Sequence, residues 1–269
     1  MINLKKILIW FLIIAPSFYL ITCCFFYFLQ EKFIFIPDKL DKDYRYNFSQ
    51  TFEEVHIQTK DGTQLNSLLF KADNPKGLIF YLHGNAGALD SWGGMASLYT
   101  DDLGYDLFIL DYRGFGKSEG QIESEAQLFE DIQAAYNSMK ERYSEDQIIV
   151  LGYSIGTCPA AWLSSTNNPR MLILQAPYYS LTDVIQDISP LTPEFLIRYK
   201  LETYKYIKDC QMPVIIFHGN LDKVISYDNS LQLEKLLKPT DRLITLNGEG
   251  HNEITDNKHY QDELSKILF

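Results

Sequence analysis

Gly152-Tyr153-Ser154-Ile155-Gly156 is the stretch whose reading decides the fold. It follows the apolar run Gln147-Ile148-Ile149-Val150-Leu151, which has the length of a buried strand. A helical pattern from Ile155 through Ala161 and Trp162 comes after it, so Ser154 falls on a sharp strand-to-helix turn that lifts its hydroxyl clear of the sheet. In so tight a turn the nucleophile's backbone is strained, and side chains two positions before and after it would collide. Glycine is needed at both places, and Gly152 and Gly156 stand there. Alone, the pentapeptide fits a serine nucleophile and equally a helix start with a capping serine.

Outward from the turn, short apolar runs alternate with helical patterns. The runs are Leu78 to Leu82, Asp106 to Leu110, Ile148 to Leu151, Met171 to Leu174, Val214 to Phe217 and Leu243 to Leu246. The segments Glu123 to Lys140 and Ser230 to Leu237 have amphipathic helical periodicity. That alternation predicts a mostly parallel sheet with helices on both faces, because strands apolar at every position require cover on both sides. Upstream, Thr51 to Thr59 and Gln64 to Lys71 flank Lys60-Asp61-Gly62-Thr63, a hairpin signal that predicts an antiparallel edge. Residues 178–211, with their prolines, tyrosines and helical stretches around Thr182 and Phe195, read as a small cap over the strand ends.

The N-terminal part reads differently. Ile7 to Leu29 are 23 consecutive uncharged residues, which as a helix reach about 35 Å and can span a hydrocarbon core of about 30 Å. The run is longer than the apolar region of a cleaved signal peptide and lacks a small-x-small cleavage site, so an uncleaved anchor is expected. Leu20-Ile21-Thr22-Cys23 loosely suggests a lipoprotein site, but the run stays apolar beyond it. Lys5 and Lys6 precede the span, while Glu31 and Lys32 nearly cancel after it. The positive-inside tendency therefore puts the N-terminus in the cytoplasm and the body on the non-cytoplasmic side. The expected division is a tail over 1–6, an anchor over 7–29, a juxtamembrane segment over 30–50 and a catalytic domain over 51–269. The apolar juxtamembrane stretch Phe33 to Pro37 could lie in the membrane interface or pack on that domain.

Bulk properties exclude several classes. With 24 Lys and Arg against 35 Asp and Glu, the net charge of −11 and the lack of a basic patch argue against a nucleic-acid partner. Four cysteines, two of them in the apolar N-terminal run, make no disulfide framework and no metal-ligand spacing, and a Cys158–Cys210 bond is not expected. Asp111 through Gly120 is glycine-rich but matches neither phosphate-loop spacing, so it reads as a structural loop bordering the pocket and anchored by Arg113.

In sheets of this class ligands gather at the carboxyl ends of the strands. Chemistry-bearing residues follow four of them: His83-Gly84-Asn85-Ala86-Gly87, the Ser154 turn, His218-Gly219-Asn220-Leu221-Asp222 and Gly248-Glu249-Gly250-His251. A serine hydroxyl needs an imidazole to take its proton and a carboxylate to orient that imidazole. Of the five histidines, His56 and His259 fall on predicted surface elements, and His83 and His218 open turns where a ring commonly satisfies nearby backbone. His251 remains as the base. Asp222 is the candidate carboxylate, with an Asx-type turn as its other reading and Asp183 and Asp187 as substitutes. Ser154, Asp222 and His251 then stand in the chain order of this architecture. Backbone N–H groups of Ile155 and Asn85, with Ala86 as a substitute, are the expected donors to an oxyanion.

These stretches, with Gln30 to Pro37 after the anchor and Gly250-His251-Asn252 near the end, resemble the α/β-hydrolase superfamily. Within it they are similar to the membrane-anchored Bem46-like serine hydrolases, the branch that includes the alpha/beta hydrolase domain-containing proteins 13 and 17. The resemblance implies an eight-stranded sheet with its second strand antiparallel to its neighbours, and a triad of Ser154, Asp222 and His251. Pro159, early in the nucleophile helix, is tolerated because its missing N–H falls near the first turn. The expected activity is hydrolysis of an acyl ester or thioester, on a small-molecule, lipid or acylated substrate, with no cofactor and no metal. Tyr178, Tyr179, Leu181 and Phe195 suggest a partly apolar acyl pocket. Two other readings stay open: a serine peptidase or aminopeptidase, and a non-catalytic binding protein on the same fold.

Overall fold

The computed structural model describes residues 4–268. Eight strands form one sheet: β1 (Phe52–Gln58), β2 (Gln64–Phe70), β3 (Leu78–Leu82), β4 (Asp106–Leu110), β5 (Ile148–Tyr153), β6 (Met171–Gln175), β7 (Val214–Gly219) and β8 (Arg242–Leu246). Their spatial order is β1-β2-β4-β3-β5-β6-β7-β8. The strand β2 runs antiparallel to both neighbours, through pairs such as His56 with Asn66 and Leu68 with Ile109, and every other pairing is parallel. The Asp61-Gly62 turn makes the β1–β2 hairpin, with Gly62 at φ +88°.

Burial explains why the inner strands are continuous apolar runs. Every residue of β3 and β4, and all of β5 but Tyr153, is buried, because helices cover both faces. One apolar cluster, built on Phe80, Phe108 and Val150, lies under the helices Glu125–Lys140 and Thr157–Thr166. The other, on Tyr81, Leu151 and Phe217, lies under Lys258–Leu268. Ser124 caps the helix Glu125–Lys140 by accepting from the Gln127 N–H at 3.1 Å. Pro159 is the third residue of the helix Thr157–Thr166, where its missing N–H leaves no intrahelical bond unmade.

The glycine-rich loop after β4 is anchored by Arg113 as its sequence predicts, but it lines neither cavity that reaches Ser154. Arg113 bonds both oxygens of Asp131 in the helix Glu125–Lys140 and both oxygens of Asp61 in the β1–β2 turn, so one guanidinium ties three elements together. All four cysteines are free; Cys158 and Cys210 are each buried without pairing.

The N-terminal helix α1 spans Leu4–Leu29, and its segment Leu8–Leu29 is apolar and long enough to cross a membrane by length and composition. After it the chain folds onto the body. Ile34 and Phe35 are buried, Ile36-Pro37 pair with Ala86-Gly87, and Tyr46 and Phe48 pack beside Phe52 and Phe70. Within Phe33 to Pro37, Ile34 and Phe35 pack on the domain, while Phe33 and Ile36 are 59% and 53% exposed. The cap contains the helices Leu181–Ile188 and Thr203–Ile207 and a single 3-10 turn, Glu194–Leu196.

Candidate active site

Ser154 stands directly after β5 at φ +52°, a conformation that costs a non-glycine residue about 1–2 kcal/mol. The flanking glycines make the turn possible. A Cβ on Gly156 would lie 2.2 Å from the Leu82 carbonyl oxygen, and one on Gly152 would lie 2.5 Å from the Gly156 oxygen. The turn is therefore packed against the end of β3, which carries the His83–Asn85 loop to the same place.

The three residues singled out by chain order come together here. The Ser154 hydroxyl lies 2.9 Å from His251 Nε2, and His251 Nδ1 lies 2.6 Å from Asp222 Oδ2. With the proton on Nδ1, the ring donates to Asp222 and accepts from Ser154. Asp222 also makes the Asx turn that was its other reading, since its Oδ1 accepts the N–H groups of Val224 and Ile225, both at 2.8 Å. One carboxylate oxygen is spent on the loop and the other faces the imidazole. Burial pushes the Asp222 carboxyl up, but hydrogen bonds from His218 and His251, the His251 charge and the Ile225 N–H outweigh it and hold it well below the usual carboxylate range.

His218 belongs to this group, contrary to the expectation that it merely serves nearby backbone. Its buried ring places Nε2 3.1 Å from Asp222 Oδ2 and 3.0 Å from the Ile225 carbonyl, while Nδ1 accepts from the Ser230 hydroxyl at 2.6 Å. The sequence offered only the spacing His-x-x-x-Asp at a strand end, which does not show that the ring turns toward the carboxylate. His83 does serve the backbone, with Nδ1 2.7 Å from the Gly84 oxygen. His56 and His259 are exposed. Asp183 bonds with Ser180 at the start of a cap helix and Asp187 is exposed, so neither substitutes for Asp222.

Two tyrosines brace the site from behind. Tyr153 donates its hydroxyl to the His251 carbonyl at 2.7 Å and packs its ring on the imidazole, and Tyr178 donates to the Ile155 carbonyl at 3.0 Å. Ile155 is the second residue of the 3-10 turn Ser154–Gly156 that leads into the helix Thr157–Thr166, where N–H groups lack partners one turn back. Asn85 reaches across to the segment after α1, donating Nδ2 to the Ile34 oxygen at 3.3 Å.

Ser154 and Asn85 sit where two cavities meet. One, of about 550 Å³, is mostly apolar and is lined by Ile155, Tyr178, Leu181, Ile185 and residues of α1. The other, of about 470 Å³, runs past Trp92, Tyr153, His251 and Glu253. Of the four residues expected in an acyl pocket, Tyr178 and Leu181 line the apolar cavity. Tyr179 stacks on Tyr204 instead, at 4.6 Å between rings, and Phe195 is 81% exposed at the cap tip.

Comparison with known proteins agrees with this architecture. Residues 77–202 match the alpha/beta hydrolase fold family. Escherichia coli K12 protein YfhR is 28% identical over 99% of this chain and 95% of its own length. Human alpha/beta hydrolase domain-containing protein 17B is 28% identical over 87% of this chain and 81% of its own. Among solved structures, a Pyrococcus furiosus esterase, Pf2001, superposes with a TM-score of 0.69 at 17% identity, covering 87% of this chain and 97% of that one. In strand order and in likeness to solved structures the chain has the alpha/beta hydrolase fold, and in sequence it is similar to alpha/beta hydrolase domain-containing proteins over most of its length.

Proposed function

We propose that the chain is a membrane-anchored serine hydrolase that cleaves an acyl ester or thioester through an acyl-Ser154 intermediate. The observation that carries this reading is the unbroken relay from the Ser154 hydroxyl through His251 to Asp222, at 2.9 and 2.6 Å. Ser154 Oγ attacks the carbonyl carbon while His251 Nε2 takes its proton. The oxyanion is met by the N–H groups of Ile155 and Asn85. As the tetrahedral intermediate collapses, His251 returns the proton to the departing alkoxide or thiolate. Water then adds to the acyl-enzyme with His251 as base, releasing the carboxylic acid and restoring Ser154. Asp222 holds the imidazole in the productive tautomer and steadies its positive form.

Division of the chain follows from the same reading: anchor over 7–29, juxtamembrane segment over 30–50 and catalytic domain over 51–269, with the cap at 178–211. The apolar cavity suits the acyl chain and the wetter one the leaving group. The apolar span of α1 supports anchorage, and the Lys5 and Lys6 charges support a cytoplasmic N-terminus with the catalytic body on the other side.

A fluorophosphonate probe tests the chemistry, because it phosphonylates only an activated serine. Wild-type protein should label and Ser154→Ala should not; equal labelling of the two, or none of wild type, would refute the serine mechanism. Esters and thioesters should then turn over faster than aminoacyl amides on the same preparation. A preference for amides would transfer the assignment to peptidases.

A further inference from the structure

The apolar cavity at Ser154 is not closed by the catalytic domain alone. Tyr19, Thr22, Cys23 and Phe26 of α1 form one of its walls, opposite Leu181, Val184 and Ile188 of the cap. The helix is held there at two heights. At its foot, the wholly buried Gln30 donates to the Leu196 carbonyl at 3.1 Å and accepts the Arg198 N–H at 2.8 Å. Higher up, Tyr19 donates its hydroxyl to the Leu191 carbonyl at 2.8 Å. Tyr19 lies ten residues from the end of α1, about 15 Å along its axis, which is about half the thickness of a hydrocarbon core. The part of the cap bonded to it therefore sits at a depth where lipid tails surround the helix. Its surface fits that depth: Ile188, Leu191 and Phe195 are 78%, 79% and 81% exposed and contiguous with the bare apolar face of α1. In water such a patch would be costly; among acyl chains it costs little.

We propose that the anchor helix is itself a wall of the substrate site. The channel between α1 and the cap takes the acyl chain of a lipid or lipidated substrate sideways from the bilayer, delivering its carbonyl to Ser154. This rests on the serine-hydrolase and membrane-anchor readings above and adds the route, the residues that measure chain length and the source of the substrate. Cys23 is the sensitive position, because it is small, half-buried and faces the cavity. A tryptophan there narrows the channel. Ile21, 67% exposed on the lipid side, provides the matched control.

The test uses the full chain in phosphatidylcholine nanodiscs with 4-nitrophenyl acetate and 4-nitrophenyl palmitate. Cys23→Trp should lower the ratio of palmitate to acetate hydrolysis at least tenfold, and Ile21→Trp should leave that ratio within twofold. An unchanged chain-length profile in Cys23→Trp, or a wild type that cleaves acetate but not palmitate, overturns the channel and leaves the serine mechanism standing. A wild type inert to both esters and to fluorophosphonate overturns both. Should Cys23→Trp fail to insert, a second measurement reads the same wall in Cys24→Ser. Hexadecyl fluorophosphonate on Ser154 should slow maleimide alkylation of Cys23 at least fivefold, and an ethyl analogue should not. Equal protection by the two probes overturns the channel.

Discussion

Asp222 holds the site together at the scale of single atoms. Its Oδ2 receives both His251 and His218, and its Oδ1 receives two backbone N–H groups, so every strong acceptor direction is used. Removing the His218 donor leaves more negative charge on Oδ2 and loosens the carboxylate's aim. We expect His218→Ala to lower kcat about tenfold with little change in KM, and to move the acid limb of the kcat/KM profile to higher pH. His218→Gln, whose amide nitrogen can reach the place of Nε2, should recover much of both. A change in stability alone, with an unmoved pH profile, would make His218 a packing residue only. Acid stability reads the same carboxylate. Because the folded Asp222 resists protonation more than the unfolded chain does, its contribution is present above about pH 4 and is lost as pH falls toward the lower folded value. In Asp222→Asn, the fall in melting temperature between about pH 4 and pH 2 should be shallower than in wild type, as thermal unfolding across that range would measure. Ser154, Asp222 and His251 were legible because the chemistry requires three residue types in a given order after given strands. His218 was not, because a His-Gly after a strand does not reveal that its ring turns toward a residue four positions on.

At the scale of elements, the turn at Ser154 is fixed by contact with β3 rather than by its own sequence. A methyl group on Gly156 meets two backbone carbonyl oxygens, of Leu82 and His83, neither of which can rotate away as a side chain would. Gly156→Ala should therefore cost about 1–3 kcal/mol, seen in the urea midpoint. It should cost activity beyond that, since the displaced loop carries Asn85. Gly94→Ala, where a Cβ has nothing within 4 Å, should be near neutral by both measures. A result in which the two glycines behave alike would remove the steric account of the turn. The strands were readable almost to the residue, because burial on both faces forces uninterrupted apolar runs of strand length, as in Leu78–Leu82. The cap was readable only as a region. Its short helices carry no long periodicity, so nothing in the chain distinguished Leu181, which faces Ser154's cavity, from Phe195, which faces outward.

For the whole molecule, α1 and the cap meet at one side chain. Gln30 is a polar amide with no exposed surface, bonded at Nε2 to the carbonyls of Tyr27 and Leu196 and at Oε1 to the Arg198 N–H. Beside it, Arg198 bonds Glu31 and the Glu123 carbonyl, so the end of α1 is stitched to both the cap and the start of the helix Glu125–Lys140. None of these bonds reaches the triad. Gln30→Leu keeps the volume but removes the partner of the Leu196 carbonyl and of the Arg198 N–H, both part-buried, at a cost of up to about 1–3 kcal/mol each. The cheapest relief is local: the segment 189–198 lifts from α1 while the sheet and its apolar clusters stay intact. Amide hydrogen exchange over 189–198 should then quicken by tenfold or more, with β3 and β5 unchanged. Fluorophosphonate labelling of Ser154 should persist, because the Ser154–His251–Asp222 relay is built entirely from the body. If exchange quickens across the central strands as well, α1 is a structural part of the body rather than a wall joined to it through the cap.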